Sequence, residues 1–166
     1  TAVGMSALYS NTTGSYNSAF GGTPFGPGDA PALYANTTGN YNSAFGVSAL
    51  GSNTTASNNS AFGYQALYTN STGTSNAAFG YQALKFNTTA ASNSAFGYQA
   101  LYTNSTGIQN VAVGLGALFA NTTGGNNTAI GTSALTFNTT GGGSTAVGYN
   151  SLRNNSAGYS TAIGSY

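Results

Sequence analysis

Eight asparagines recur at one phase of the sequence, each followed by Thr or Ser and then by Thr: Asn11, Asn36, Asn53, Asn70, Asn87, Asn104, Asn121 and Asn138. Asn-x-Ser/Thr is the acceptor pattern for N-linked glycans, so the chemistry open to these side chains is attachment of a sugar to the amide nitrogen. Asn58, Asn126 and Asn154 match the looser pattern. The same residues also suit a turn. Asn tolerates the left-handed region, Asn and Thr bond nearby backbone, and Gly follows at Gly14, Gly39, Gly73, Gly107, Gly124 and Gly141. Asparagines stacked in a column can form an amide ladder. A turn alone does not call for hydroxyls at both following positions, so the glycan reading stands beside the structural one.

Little other chemistry is on offer. Only Asp29, Lys85 and Arg153 carry side-chain charge, and Glu, His, Cys and Trp are absent. The usual general bases, thiolates and imidazole metal ligands are therefore missing. One carboxylate neither forms a dyad nor holds a hard cation alone. A Ser or Thr nucleophile would need Lys85 as its base, and that lysine sits inside a repeat. The expectation is a chain that is not an enzyme, with no catalytic residue, no metal site and no cofactor beyond covalent glycans. Two basic residues far apart argue against nucleic acid, no apolar run approaches bilayer length, and no segment reads as a signal peptide. So few charges leave a surface that invites association unless glycans, assembly or a hydroxyl and amide coat keep it wet.

These residues are positioned by a repeat. Ala, a bulky apolar residue and Gly recur from Ala2-Val3-Gly4 to Ala162-Ile163-Gly164, with successive alanines 17, 25, 17, 17, 17, 17, 17, 17 and 16 residues apart. Four residues after the glycines comes Leu: Leu8, Leu50, Leu67, Leu84, Leu101, Leu118, Leu135 and Leu152, with Leu33 joining them after an insertion. A helical hairpin needs a period above thirty and strong helix formers. This unit is half as long and rich in Gly, Asn, Thr and Ser. It predicts an all-β fold, a parallel β-solenoid or β-roll of about ten coils of 17 residues, forming a single domain over 1–166. Like residues should stack at about 4.8 Å, around a perimeter of about 55 Å.

Such a tube has a thin core. Phe20, Phe45, Phe62, Phe79, Phe96, Val113, Ile130, Val147 and Ile163 are expected to form one internal ladder and the leucines another, with Ala and Gly letting the walls approach. The position after Gly, held by Tyr but also by Met5, Val47, Leu115, Thr132 and Ser165, reads as partly exposed. The 25-residue spacing marks an insertion at about 22–31 that holds all three prolines and Asp29. It should leave the ladder as a side loop, tolerated or used as a lateral contact. Neither end reads as a polar cap, which suggests end-to-end stacking.

Asn127-Thr128-Ala129-Ile130-Gly131 and Asn42-Ser43-Ala44-Phe45-Gly46 resemble the β-roll head repeats of trimeric autotransporter adhesins and of phage tail-fibre-like proteins. The resemblance implies a left-handed parallel roll, three chains side by side and a rigid head that binds surfaces. The unit here is longer and poorer in charge. The leading expectation is a structural subunit or segment of an extracellular or cell-surface filament, glycosylated and self-assembling, whose partners are copies of itself end to end or side by side as a trimer. An adhesin or receptor-binding head, using residues 22–31, is the alternative. An ice-binding solenoid is the second alternative, weakened because paired threonines such as Thr12-Thr13 should point to opposite sides of a strand.

Overall fold

The computed structural model of this chain describes residues 1–22 and 26–165. Thr23, Pro24 and Phe25 of the insertion, and Tyr166, lie outside the described residues. Ten short strands, from Ala2–Val3 through Ser60–Phe62 to Thr161–Ile163, form one sheet in strict sequence order, every neighbouring pair parallel. Each strand lies directly on the equivalent residues of the next coil, as in Ser60 on Ala77, Ala61 on Ala78 and Phe62 on Phe79. Across the insertion the register is kept, with Ala19 on Ala44. The fold is the expected all-β parallel solenoid with a 17-residue coil. No helix occurs among the described residues, so none is long and apolar enough to cross a membrane.

Coil-to-coil backbone hydrogen bonds extend far beyond the strands. In one coil Leu50 N donates to Ala66 O at 3.0 Å, Ser52 N to Tyr68 O at 3.0 Å, and Ser60 N to Asn76 O at 2.9 Å. This satisfies most of the backbone in a chain with few regular elements, as a buried main chain requires.

After each strand the chain turns in overlapping steps. Ala49 N donates to Gly46 O, Gly51 N to Ser48 O, and Asn53 N to Leu50 O. The third residue of the first two turns has positive φ, Ser48 at 63° and Leu50 at 51°, a position where type II turns normally want Gly. Leucine holds it in coil after coil, at 52° in Leu67 and 51° in Leu84. The left-handed conformation costs about 1–2 kcal/mol, and fully burying Leu returns about 1.5–3 kcal/mol, so the core offsets the backbone strain. Leu33 through Leu135 are indeed completely buried, and the leucine ladder is internal as expected.

The aromatic ladder is not. Phe20, Phe45, Phe62 and Phe79 are half-buried, Phe96 is 40% exposed and Ile163 80% exposed, while the alanine before each, from Ala19 to Ala146, is fully buried. The rings do stack, with centroids 4.5 Å apart for Phe45 and Phe62 and 5.0 Å for Phe79 and Phe96. They stack on the outer face. Side chains alternate along a strand, so in Ser-Ala-Phe only one of the two sets can point in. The core is a single cluster of Ala and Leu columns, including Ala49 and Leu50 beside Ala44. An alanine facing a leucine matches the narrow gap between walls, and a phenylalanine there would force them apart. The residue after Gly is partly exposed as predicted, with Tyr81 42% and Tyr98 50% exposed.

Candidate functional site

The asparagine column lies inside the tube. Asn36, Asn53, Asn70, Asn87, Asn104, Asn121 and Asn138 are all completely buried. Each amide nitrogen spends both its hydrogens. Asn70 Nδ2 donates to Asn53 Oδ1 of the preceding coil at 3.0 Å and to Gly73 O at 2.9 Å. Asn87 Nδ2 repeats the pattern on Asn70 Oδ1 at 2.8 Å and Ala90 O at 3.0 Å. Asn11 is half-buried, donates to Gly14 O and accepts from Asn36. A glycan on Nδ2 would replace one of these hydrogens and need space that the interior lacks. The seven buried asparagines are therefore ladder residues, and the folded chain has no place there for a sugar. Nor are they the non-glycine residues with positive φ, which are Leu, the position of Gln65 and the position of Asn58. Of the weaker acceptors, Asn58, Asn126 and Asn154 are exposed.

A second asparagine column was not anticipated. Asn17, Asn42, Asn59, Asn76, Asn93, Asn110 and Asn127 are also buried. Asn59 Oδ1 accepts from Asn76 N at 3.0 Å, and Asn59 Nδ2 donates to Gly73 O at 2.9 Å. That same carbonyl takes the bond from Asn70, so the two columns meet on one oxygen and fill both its lone pairs. Gly107 O is shared likewise by Asn93 and Asn104, each at 2.9 Å. The signal was in the sequence: Asn stands two residues before the strand alanine in coil after coil, and inward side chains recur every second residue.

The first hydroxyl after the column asparagines, from Thr12 to Thr122, also has a structural partner. Thr37 Oγ1 donates to Thr54 O at 3.0 Å, and Ser71 Oγ to Thr88 O at 3.1 Å, in the coil that follows. The second hydroxyl position, from Thr13 to Thr140, is exposed.

The ladder has one fault. Asn138 Oδ1 is buried without a hydrogen bond. By the pattern it should accept from the next asparagine, Asn155, but the last interval is 16 residues and Asn155 Nδ2 turns to Ala157 O and Ser144 Oγ instead. Inserting one threonine after Ser156 restores the unit. The expected result is a gain of about 1–3 kcal/mol, the cost of an orphaned buried acceptor, read as a higher midpoint in chemical denaturation.

The charged residues sit on the outside. Asp29 Oδ1 accepts from Tyr64 Oη at 2.8 Å, from Gln65 Nε2 at 3.3 Å and from Ser48 Oγ at 3.4 Å. Gly28 O accepts from Tyr68 Oη at 2.9 Å. The described part of the insertion thus folds back along the wall. Gln65 begins a side-chain ladder, since Gln82 Nε2 donates to Gln65 Oε1 at 2.9 Å and Gln99 Nε2 to Gln82 Oε1 at 2.8 Å. Lys85 Nζ lies 5.1 Å from the centroid of Phe86, and the Arg153 guanidinium 4.9 Å from that of Phe137, which is cation–π range.

The hydrogen bond to Asp29 raises the pKa of Tyr64, with burial and the carboxylate charge adding to it. A raised tyrosine pKa means the contact is intact below the ordinary tyrosine range and lost as pH climbs through the folded value. Tyr64→Phe should mimic that loss at neutral pH. Amide exchange at Ala30, whose N–H donates to Ser48 Oγ, should speed up while the strand amides stay unchanged.

Among the described residues no three His, Cys, Asp or Glu come together. Compared with known protein families, characterised proteins and solved structures, the chain has no match.

Proposed function

We propose that this chain is a structural segment of an extracellular, self-assembling fibre, a rigid rod without a catalytic site, whose partners are copies of itself. One observation carries the reading: the outward column that runs through Phe45, Phe62, Phe79, Phe96, Val113 and Ile130 along the sheet. It is apolar, partly exposed and repeats at every coil. A surface with the axial period of a β-ladder is matched by another surface of the same period, which a second copy supplies. The interior points the same way, because its buried asparagine amides are consumed in holding coil on coil rather than held free for a small substrate.

Electron microscopy of the purified chain, with and without Phe62→Ser, Phe79→Ser and Phe96→Ser together, tests this. Laterally associated rods are expected for the parent. The triple variant should stay folded, since these rings lie outside the core, but give thinner or single rods. Parent chains that remain dispersed monomers at high concentration would refute the reading.

A surface-binding head is the second reading, favoured by the fastening of Asp29 and Gly28 onto Tyr64, Gln65 and Tyr68, which gives a non-repetitive patch a fixed shape. An ice-binding face is less well served. It needs adjoining columns of free hydroxyls, and the column of Thr37 and Thr54 gives its hydroxyls to backbone carbonyls.

A further inference from the structure

We propose that the exposed threonine column, eight residues from Thr13 to Thr140 and including Thr55, Thr72 and Thr89, is a site of O-linked glycosylation. The proposal deepens the fibre reading, since it names what covers part of the fibre's uncharged surface.

Two neighbouring hydroxyl columns behave differently. In the first, the hydroxyl donates to the carbonyl of the next coil, and Ser71 and Ser105 serve as well as Thr54 or Thr88. In the second, all eight positions are threonine and all are exposed. None of these eight hydroxyls makes a hydrogen bond within the described residues; the bonds at these positions come from the backbone, as in Thr89 N to Ser105 O. A preference for extended backbone would admit Val or Ile, and a turn would admit Ser, Asn or Gly. Other exposed columns do vary: the one containing Asn58 holds Tyr41, Ser75, Gln109 and Asn126 at the same phase. Threonine is thus invariant at the position where the fold makes no use of its hydroxyl.

These threonines are also the third residues of the Asn-x-Thr pattern, and that explanation fails because the asparagines are buried with both amide hydrogens spent. A free hydroxyl recurring once per coil, on a chain with only three charged side chains, is a nucleophile in the right place to carry a hydrated coat. In the transfer, threonine Oγ attacks the anomeric carbon of a sugar activated as a phosphate ester. The new bond is C–Oγ, the glycosyl C–O bond to phosphate breaks with its electron pair leaving on the phosphate oxygen, and the hydroxyl proton passes to a base of the transferase. Nucleotide-linked and lipid-linked donors share this chemistry.

Mass spectrometry of native material, with fragmentation that keeps glycans attached, locates the modification. The expected result is sugar mass on Thr55, Thr72 or Thr89, lost on alkaline β-elimination and resistant to amidase release from Asn. Bare threonines, or sugar on the buried asparagines, would overturn the proposal. Microscopy of the same sample reports on the fibre independently: filaments with bare threonines would refute the glycan alone, and glycosylated monomers the fibre alone. In a host that supplies only a nucleotide-sugar donor, modification would identify that source, and its absence beside modified native material the lipid-linked one.

Discussion

Gly97→Ala should destabilise the solenoid by about 3 kcal/mol or more, combining a backbone conformation that costs about 1–3 kcal/mol for other residues with a steric clash. Gly97 has φ of 139°, and an added Cβ would lie 2.5 Å from the carbonyl oxygen and 2.8 Å from the carbonyl carbon of Gly114 in the next coil. Those are backbone atoms at coil spacing, so relief requires the coils to separate. The contrasting change is Gly116→Gln. Gly116 has φ of 62°, a Cβ there meets nothing within 4 Å, and the same phase elsewhere holds Gln65, Gln82 and Gln99. This variant should cost far less than Gly97→Ala, because the left-handed strain of about 1–2 kcal/mol is met by no clash and is offset in part by a hydrogen bond that extends the glutamine ladder past Gln99. Denaturation midpoints of the two proteins check both expectations.

Asn70→Ala should be nearly as damaging. It removes the donor to Asn53 Oδ1 and the acceptor of Asn87 Nδ2, leaving two buried polar groups short of a partner at about 1–3 kcal/mol each. Gly73 O keeps its bond from Asn59, so its loss is partial. Asn154→Ala, at an exposed position without positive φ, should change stability by no more than about 0.5 kcal/mol. If the asparagine column were outside and served only as glycan acceptors, both substitutions would be equally mild in unglycosylated protein.

The period, the parallel stacking, the leucine ladder and the site of the insertion were legible because each depends on recurrence, which survives any error in local detail. Direction was harder. A strand of three residues contains one and a half turns of its two-residue period, so Ser60-Ala61-Phe62 can place either Ala or Phe inside, and hydrophobicity favours the wrong one. The deciding quantity is the width of the tube, which no single coil reveals. The asparagines were ambiguous for a related reason. Asn-Thr-Thr satisfies a glycan acceptor pattern and a buried ladder with a hydroxyl clasp equally well, and only the side of the wall distinguishes them. The second column, with Asn59 and Asn76, had a visible signal in its spacing from Ala61 and Ala78. The left-handed leucines had none, because that conformation is disfavoured for Leu and is imposed here by the burial it permits.

The central claim is that the repeated asparagines are the polar interior of a stacked rod and the repeated aromatics its outer face. A side-chain-resolution density map of native rods by electron cryomicroscopy tests it most directly. Asn53, Asn70 and Asn87 should appear as an unbranched internal column at about 4.8 Å spacing, with the rings of Phe45, Phe62 and Phe79 stacked outside. Branched density leaving those asparagines toward solvent, or rings filling the interior, would contradict the account.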